Sequence, residues 1–137
     1  MNPFPEINFV AVLSAGLAYF FLGAVWYAPP VLGNAWMQEL KIKPGDIKKE
    51  KMASCLGGSL CAGLLAAFVL AAILRASNAA TACLGGTGGL LAGVGFVGTT
   101  MLTNYLYEDR SFKLFWINAG YHIAAFVLMG SIIGAIQ

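Results

Sequence analysis

His122, the only histidine in the chain, lies in the apolar run "FWINAGYHIAAFVLMG", one helical turn after Asn118. An imidazole can relay a proton, ligate a metal or hold a ligand, and an ionisable group at membrane depth is a candidate functional residue. The carboxylates do not join it. Glu6, Glu39, Asp46, Glu50, Glu108 and Asp109 all lie near the N-terminal end or in connections between apolar runs, which argues against proton-coupled transport. The cysteines Cys55, Cys61 and Cys83 stand inside apolar runs without a Cys-x-x-Cys spacing. They read as small apolar residues rather than a disulfide framework or a zinc site. One histidine with a distant thiol such as Cys61 is too small a donor set for a metal. No nucleophile–base pair or paired carboxylates stand at useful spacing. The expectation is therefore no catalytic residue, no metal and no cofactor.

The surroundings of His122 follow from composition. Hydrophobic residues make up 59% of the 137-residue chain and charged residues 10%, and the mean hydropathy is +0.77. A soluble domain carries roughly 25% charged residues to cover its surface, so most of this surface faces lipid. The length suits a single domain, and a net charge of +2 without a basic stripe excludes a nucleic-acid partner. A bilayer-crossing helix needs about 20 mostly apolar residues. Four runs meet this, at about 8–28, 52–74, 82–105 and 114–136. None alternates polar and apolar residues as a barrel strand must. The run "MNPFPEIN" before the first span has no basic residue and Trp26-Tyr27 ends the span, so it reads as a retained helix rather than a secretory signal. The fold class expected is an all-α integral membrane bundle of four helices.

Basic residues set an orientation. Lys41, Lys43, Lys48, Lys49 and Lys51 lie between the first two spans, and Arg110 and Lys113 between the last two. Only Arg75 falls on the other side. The positive-inside rule then places the loop 29–51 in the cytoplasm and both termini outside, as in a bacterial inner membrane. Trp26, Tyr27, Trp36 and Trp116, with Tyr105 and Tyr107, cluster at that boundary as interface anchors. Leu32, Trp36 and Leu40 recur every four residues after Pro29-Pro30, the pattern of a short interfacial helix. Pro44-Gly45 turns the chain, and Asp46 is expected to cap the second span. The Tyr27–Trp36 and Tyr107–Trp116 spacings give a faint internal echo of two hairpins.

Small residues suggest how the spans meet. Gly85, Gly89 and Gly93 recur every four residues in the third span, and Gly130 and Gly134 do so in the fourth. Such faces let backbones approach closely, the main source of helix packing in lipid. Seven glycines between Gly85 and Gly98 lower helix propensity. In lipid the helix still wins, because any other conformation leaves amides unsatisfied. His122 lies about eight residues into its span, roughly 12 Å below the boundary. Counting the same depth on the other spans selects Tyr19 or Phe20, Ser59 or Cys61, and Thr99 or Thr100. With Asn118 these form an expected polar layer of His122, Asn118, Tyr19, Thr99 and Cys61.

Two stretches, "GAVWYAPPVLGNAW" and "TNYLYEDRSFKLFWINAGYH", resemble domain-of-unknown-function family 1761, small four-helix bacterial membrane proteins. The likeness spans nearly the whole chain. It rests on Trp26, Tyr27, Pro29, Leu32, Gly33 and Trp36, and on Asn118, Gly120, Tyr121 and His122. Ala28 and the doubled proline depart from the pattern. The resemblance implies the fold and the membrane location, and no activity. The favoured reading is a non-enzymatic membrane component that self-associates or joins a larger membrane complex. A small-solute transporter or channel built on the His122 layer is the alternative, and a membrane enzyme comes last.

Overall fold

A computed structural model of the chain describes residues 6–43 and 45–136. Pro44 of the expected turn and the first five residues of "MNPFPEIN" lie outside the described residues. The described residues form helices α1 (Phe9–Trp26), α2 (Asn34–Leu40), α3 (Lys49–Ala76), α4 (Ala82–Ala92), α5 (Thr99–Tyr107) and α6 (Phe112–Ile136), with no strand. Four helical stretches are long and apolar enough to cross a membrane: Phe9–Trp26, Lys49–Ala76, Ala82–Tyr107 and Phe112–Ile136.

Side chains fix the helix starts. Asn8 Oδ1 accepts from the Val10 and Ala11 amides at 3.0 and 3.3 Å. Thr81 Oγ1 accepts from Leu84 at 3.1 Å, and Ser111 Oγ accepts from Lys113 at 3.1 Å. Each satisfies amides that a helix leaves open. α3 lacks such a cap: Asp46 Oδ2 instead accepts from the Lys43 amide at 2.7 Å, closing the loop before α3. The expected Asp46 helix cap is therefore a turn residue, two positions ahead of the cap position at Lys48.

Between α1 and α2 the two prolines act in sequence. Ala28, ahead of Pro29, is extended at ψ 139°, as a residue before proline must be. A π-helical turn, Pro29–Gly33, then leads directly into α2. Gly33 is required here, since a Cβ would overlap the Tyr27 carbonyl oxygen.

A second π-helical segment, Gly93–Gly98, divides the third span into α4 and α5. Wide turns loosen the backbone ladder, and nearby hydroxyls satisfy the freed carbonyls. Thr99 Oγ1 donates to Gly95 O at 2.8 Å, and Thr100 Oγ1 donates to Phe96 O.

α1 and α6 pack together at the centre, α3 lies on α1, and α4 lies on α6. Ala11, Val12, Ala15 and Tyr19 of α1 share one core with Leu70, Leu74, Tyr121, Ala125, Met129 and Ile133. The α4–α6 contact is backbone against backbone. A Cβ on Gly85 would overlap Gly130 O, one on Gly89 would overlap Phe126 O, and one on Gly134 would overlap Thr81 O. α3 packs unevenly. Beyond Gly63, whose missing side chain admits the Tyr19 ring, its second half is built into the core. In the first half, every residue from 48 to 59 is exposed.

Candidate functional site on the lysine side

α6 presents Asn118, Tyr121 and His122 on adjoining positions of one face, at i, i+3 and i+4. Asn118 is a crosslink. Its Oδ1 accepts from Tyr27 Oη at 2.6 Å, and its Nδ2 donates to Tyr105 Oη at 2.7 Å. One amide thus joins the end of α1 and the end of α5 to α6. Trp26 Nε1 donates to the Ile117 carbonyl at 2.9 Å, which ties α1 to α6 a second time.

Tyr121 is the centre of the cluster. Its hydroxyl donates to the Tyr19 backbone carbonyl at 2.6 Å. Its ring lies 5.3 Å from that of Tyr19, 5.4 Å from Tyr27 and 4.9 Å from His122. Gly23 makes room for it, because a Cβ there would lie 2.9 Å from the Tyr121 hydroxyl. Gly120 does the same for the Trp26 ring. Tyr19 Oη lies 3.5 Å from His122 Nδ1, a long contact beside the short ones around it.

His122, Asn118 and Tyr19 therefore share one neighbourhood. The other two residues selected by depth stand elsewhere. Thr99 is exposed and bonds the carbonyls of its own helix, and Cys61 is exposed on α3. Of the aromatic residues placed at the boundary, Trp26, Tyr27 and Tyr105 turn inward to α6. Trp36 packs edge-on to Tyr27 at 5.8 Å. Trp116 remains 67% exposed, as a headgroup anchor would be. Tyr121 was missed as the hub; its spacing from Asn118 on a shared helix face was the available signal.

The arrangement offers hydroxyls, an amide, an indole N–H and an imidazole, with no carboxylate among them. It can lock helices or hold a neutral polar group. No three His, Cys, Asp or Glu side chains converge as a metal site among the described residues.

A family model described as "Protein of unknown function (DUF1761)" matches residues 10–134. The chain belongs to the DUF1761 family. No curated protein and no solved structure matches it. In this DUF1761 chain the two stretches that carried the resemblance meet in space. Trp26 and Tyr27 from the first bond Ile117 and Asn118 from the second. The segments are therefore two halves of one contact, and Gly23, Gly33 and Gly120 are the small residues that let it close.

Proposed function

We propose that this protein is a non-enzymatic component of the bacterial inner membrane that works by self-association, with its lysine-bearing side in the cytoplasm. The observation that carries this reading is the first half of α3. A helix of 28 residues is about 42 Å long, so its first turn clears the roughly 30 Å hydrocarbon layer. The rest of the exposed stretch lies at membrane depth. There Ser54, Gly58, Cys61 and Ala62 form a small-residue stripe on the face opposite the buried Gly63, Leu70 and Leu74. No atom lies within 4 Å of a Cβ built on Gly57 or Gly58.

Elsewhere in the molecule a small-residue stripe meets another helix: Gly85 and Gly89 meet α6, and Gly16 and Gly63 meet α3 and α1. The α3 stripe is the same kind of surface facing away from the bundle. A second copy supplies the identical stripe, and two such faces pair about a twofold axis as small-residue membrane helices do. The orientation follows from seven of the eight basic residues lying on one side.

Cys61 lies on this stripe and provides the test. In membranes holding the chain with Cys55→Ser and Cys83→Ser, mild oxidation should yield a Cys61-linked dimer, since paired helices bring the sulfur atoms within disulfide reach. Gly58→Leu should abolish it by separating the helices. A chain that remains monomeric under oxidation with Gly58 intact refutes self-association through this face.

A further inference from the structure

Arg75, in the last turn of α3, is the one basic residue at the end of the bundle away from the lysines. It is half-buried and borders two cavities. The larger, of about 230 Å³, is lined by Arg75 with Glu6, Ile7 and Asn8 from the start of the described chain. The smaller, of about 120 Å³, lies on Arg75, Asn78 and Ala79 in the turn after α3.

Opposite charges line the larger cavity without meeting. Among the described residues the one ion pair is Glu108 with Arg110, at the other end of the bundle, so Glu6 and Arg75 do not neutralise each other. Asn8 adds a donor. Its Oδ1 is committed to the Val10 and Ala11 amides, and its Nδ2 bonds no group among the described residues. A guanidinium beside an amide N–H suits a phosphate, which arginine can hold by two parallel bonds. A carboxylate on the same cavity repels a second anion and attracts an ammonium. The complementary ligand is a zwitterion with both groups a few bonds apart.

The bilayer supplies one. Arg75 stands at the helix end, and Phe68, seven residues back on the same face, lies about 10 Å deeper. The Phe68 ring stacks on Phe9 at 6.4 Å, and Phe9 is 71% exposed. An apolar track thus leads from the cavity into the hydrocarbon layer, where an acyl chain can lie. We infer that this cavity binds a phospholipid whose headgroup carries a phosphate and a primary ammonium. The phosphate accepts from Arg75 and Asn8, the ammonium donates to Glu6, and an acyl chain follows Phe9. A choline headgroup has no N–H to give Glu6, and a glycerol headgroup has no cation. The site is far along α3 from Gly58 and Cys61, so this proposal and self-association can fail separately.

The test uses the full chain in mild detergent, equilibrated with equal amounts of dioleoyl phosphatidylethanolamine, phosphatidylglycerol and phosphatidylcholine, with retained lipid counted by native mass spectrometry. The ethanolamine lipid should be retained in preference to the other two. Glu6→Gln should cut its preference over the glycerol lipid about fivefold, near the most that an exposed ion pair gives. Arg75→Gln should lower retention of all three lipids by a similar factor, and Arg110→Gln, at the opposite end, should change nothing. Glu6 is exposed and precedes α1, so its variant decides the matter even if Arg75→Gln fails to fold. Equal retention of the ethanolamine and glycerol lipids by wild type, or an undiminished preference in Glu6→Gln, overturns the site. Displacement of the lipid by millimolar O-phosphoethanolamine overturns the bilayer as the source of the ligand.

Discussion

Replacing Gly130 with alanine tests whether the α4–α6 contact holds the bundle together. The added Cβ would overlap the Gly85 carbonyl oxygen, lying 2.9 Å from the carbonyl carbon and 3.2 Å from Gly89 Cα. Carbon contacts are optimal at about 3.5–4.0 Å, and the atoms in the way are backbone, so no side chain can swing aside. The helices must part by about 1 Å. Overpacking of this kind costs about 1–3 kcal/mol. Alanine returns up to about 1 kcal/mol of helix propensity, and parting the helices loosens the Gly89 and Gly134 contacts as well. A net loss of about 2 kcal/mol is expected.

Gly57→Ala is the matched control. Its Cβ meets nothing within 4 Å, so the propensity gain is unopposed and stability should hold or rise. Gly85→Ala combined with Gly130→Ala should cost well under the sum of the two, because one separation relieves both overlaps. Unfolding by sodium dodecyl sulfate in mixed micelles, followed by tryptophan emission, measures all four. If Gly130→Ala matches wild type, or Gly57→Ala loses as much, the backbone-contact argument is wrong.

Other perturbations address the polar cluster and the orientation. Asn118→Ala removes the bonds to Tyr27 and Tyr105, and at about 0.6 kcal/mol each in a membrane it should cost about 1 kcal/mol in the same assay. Tyr27→Phe should cost about half of that, and in a double-mutant cycle the two should couple. Trp26→Phe loses the 2.9 Å bond to the Ile117 carbonyl while keeping the ring against Gly120. A loss of about 1 kcal/mol should appear, and no loss would show that the indole serves by packing alone. In a cysteine-free background, an impermeant thiol reagent should label Lys43→Cys only from the cytoplasmic face and Asn78→Cys only from outside. Reversed labelling would refute the orientation drawn from the lysines.

The spans were legible because hydrocarbon leaves the backbone one choice: the expected 82–105 is helical over Ala82–Tyr107 despite its glycines. Depth was legible too, since residue count converts directly into rise, and it brought Tyr19 to His122. Azimuth was not. Thr99 stands at a depth comparable to His122, but the π-helical segment Gly93–Gly98 precedes it and shifts the helical phase. Extrapolating the Gly85–Gly89–Gly93 face therefore misplaces every residue beyond it. Cys61 was misjudged for another reason: it lies on the α3 face pointing away from the core, and depth alone cannot distinguish inward from outward.

Spacing marks the faces able to approach closely without naming their partners, and connection length is a poor guide. The turn between α3 and α4 is only Ser77 to Thr81, yet these helices meet mainly where Leu74 reaches Gly88. α4 has one stripe that admits backbone contact. α6 offers a matching pair in Gly130 and Gly134, whereas on α3 Leu74 is the side chain that reaches Gly88 of α4. A leucine face holds a neighbour a side chain's length away, and a glycine face brings it to backbone distance. The second contact excludes the first wherever both compete for the same helix. That exclusion ties α4 to α6 and leaves α3 to lean on α1, where Gly63 admits the Tyr19 ring and Gly16 admits Leu64. Past Gly63 toward the lysines, the same side of α3 carries Ser59, Leu56 and Met52, and all three are exposed.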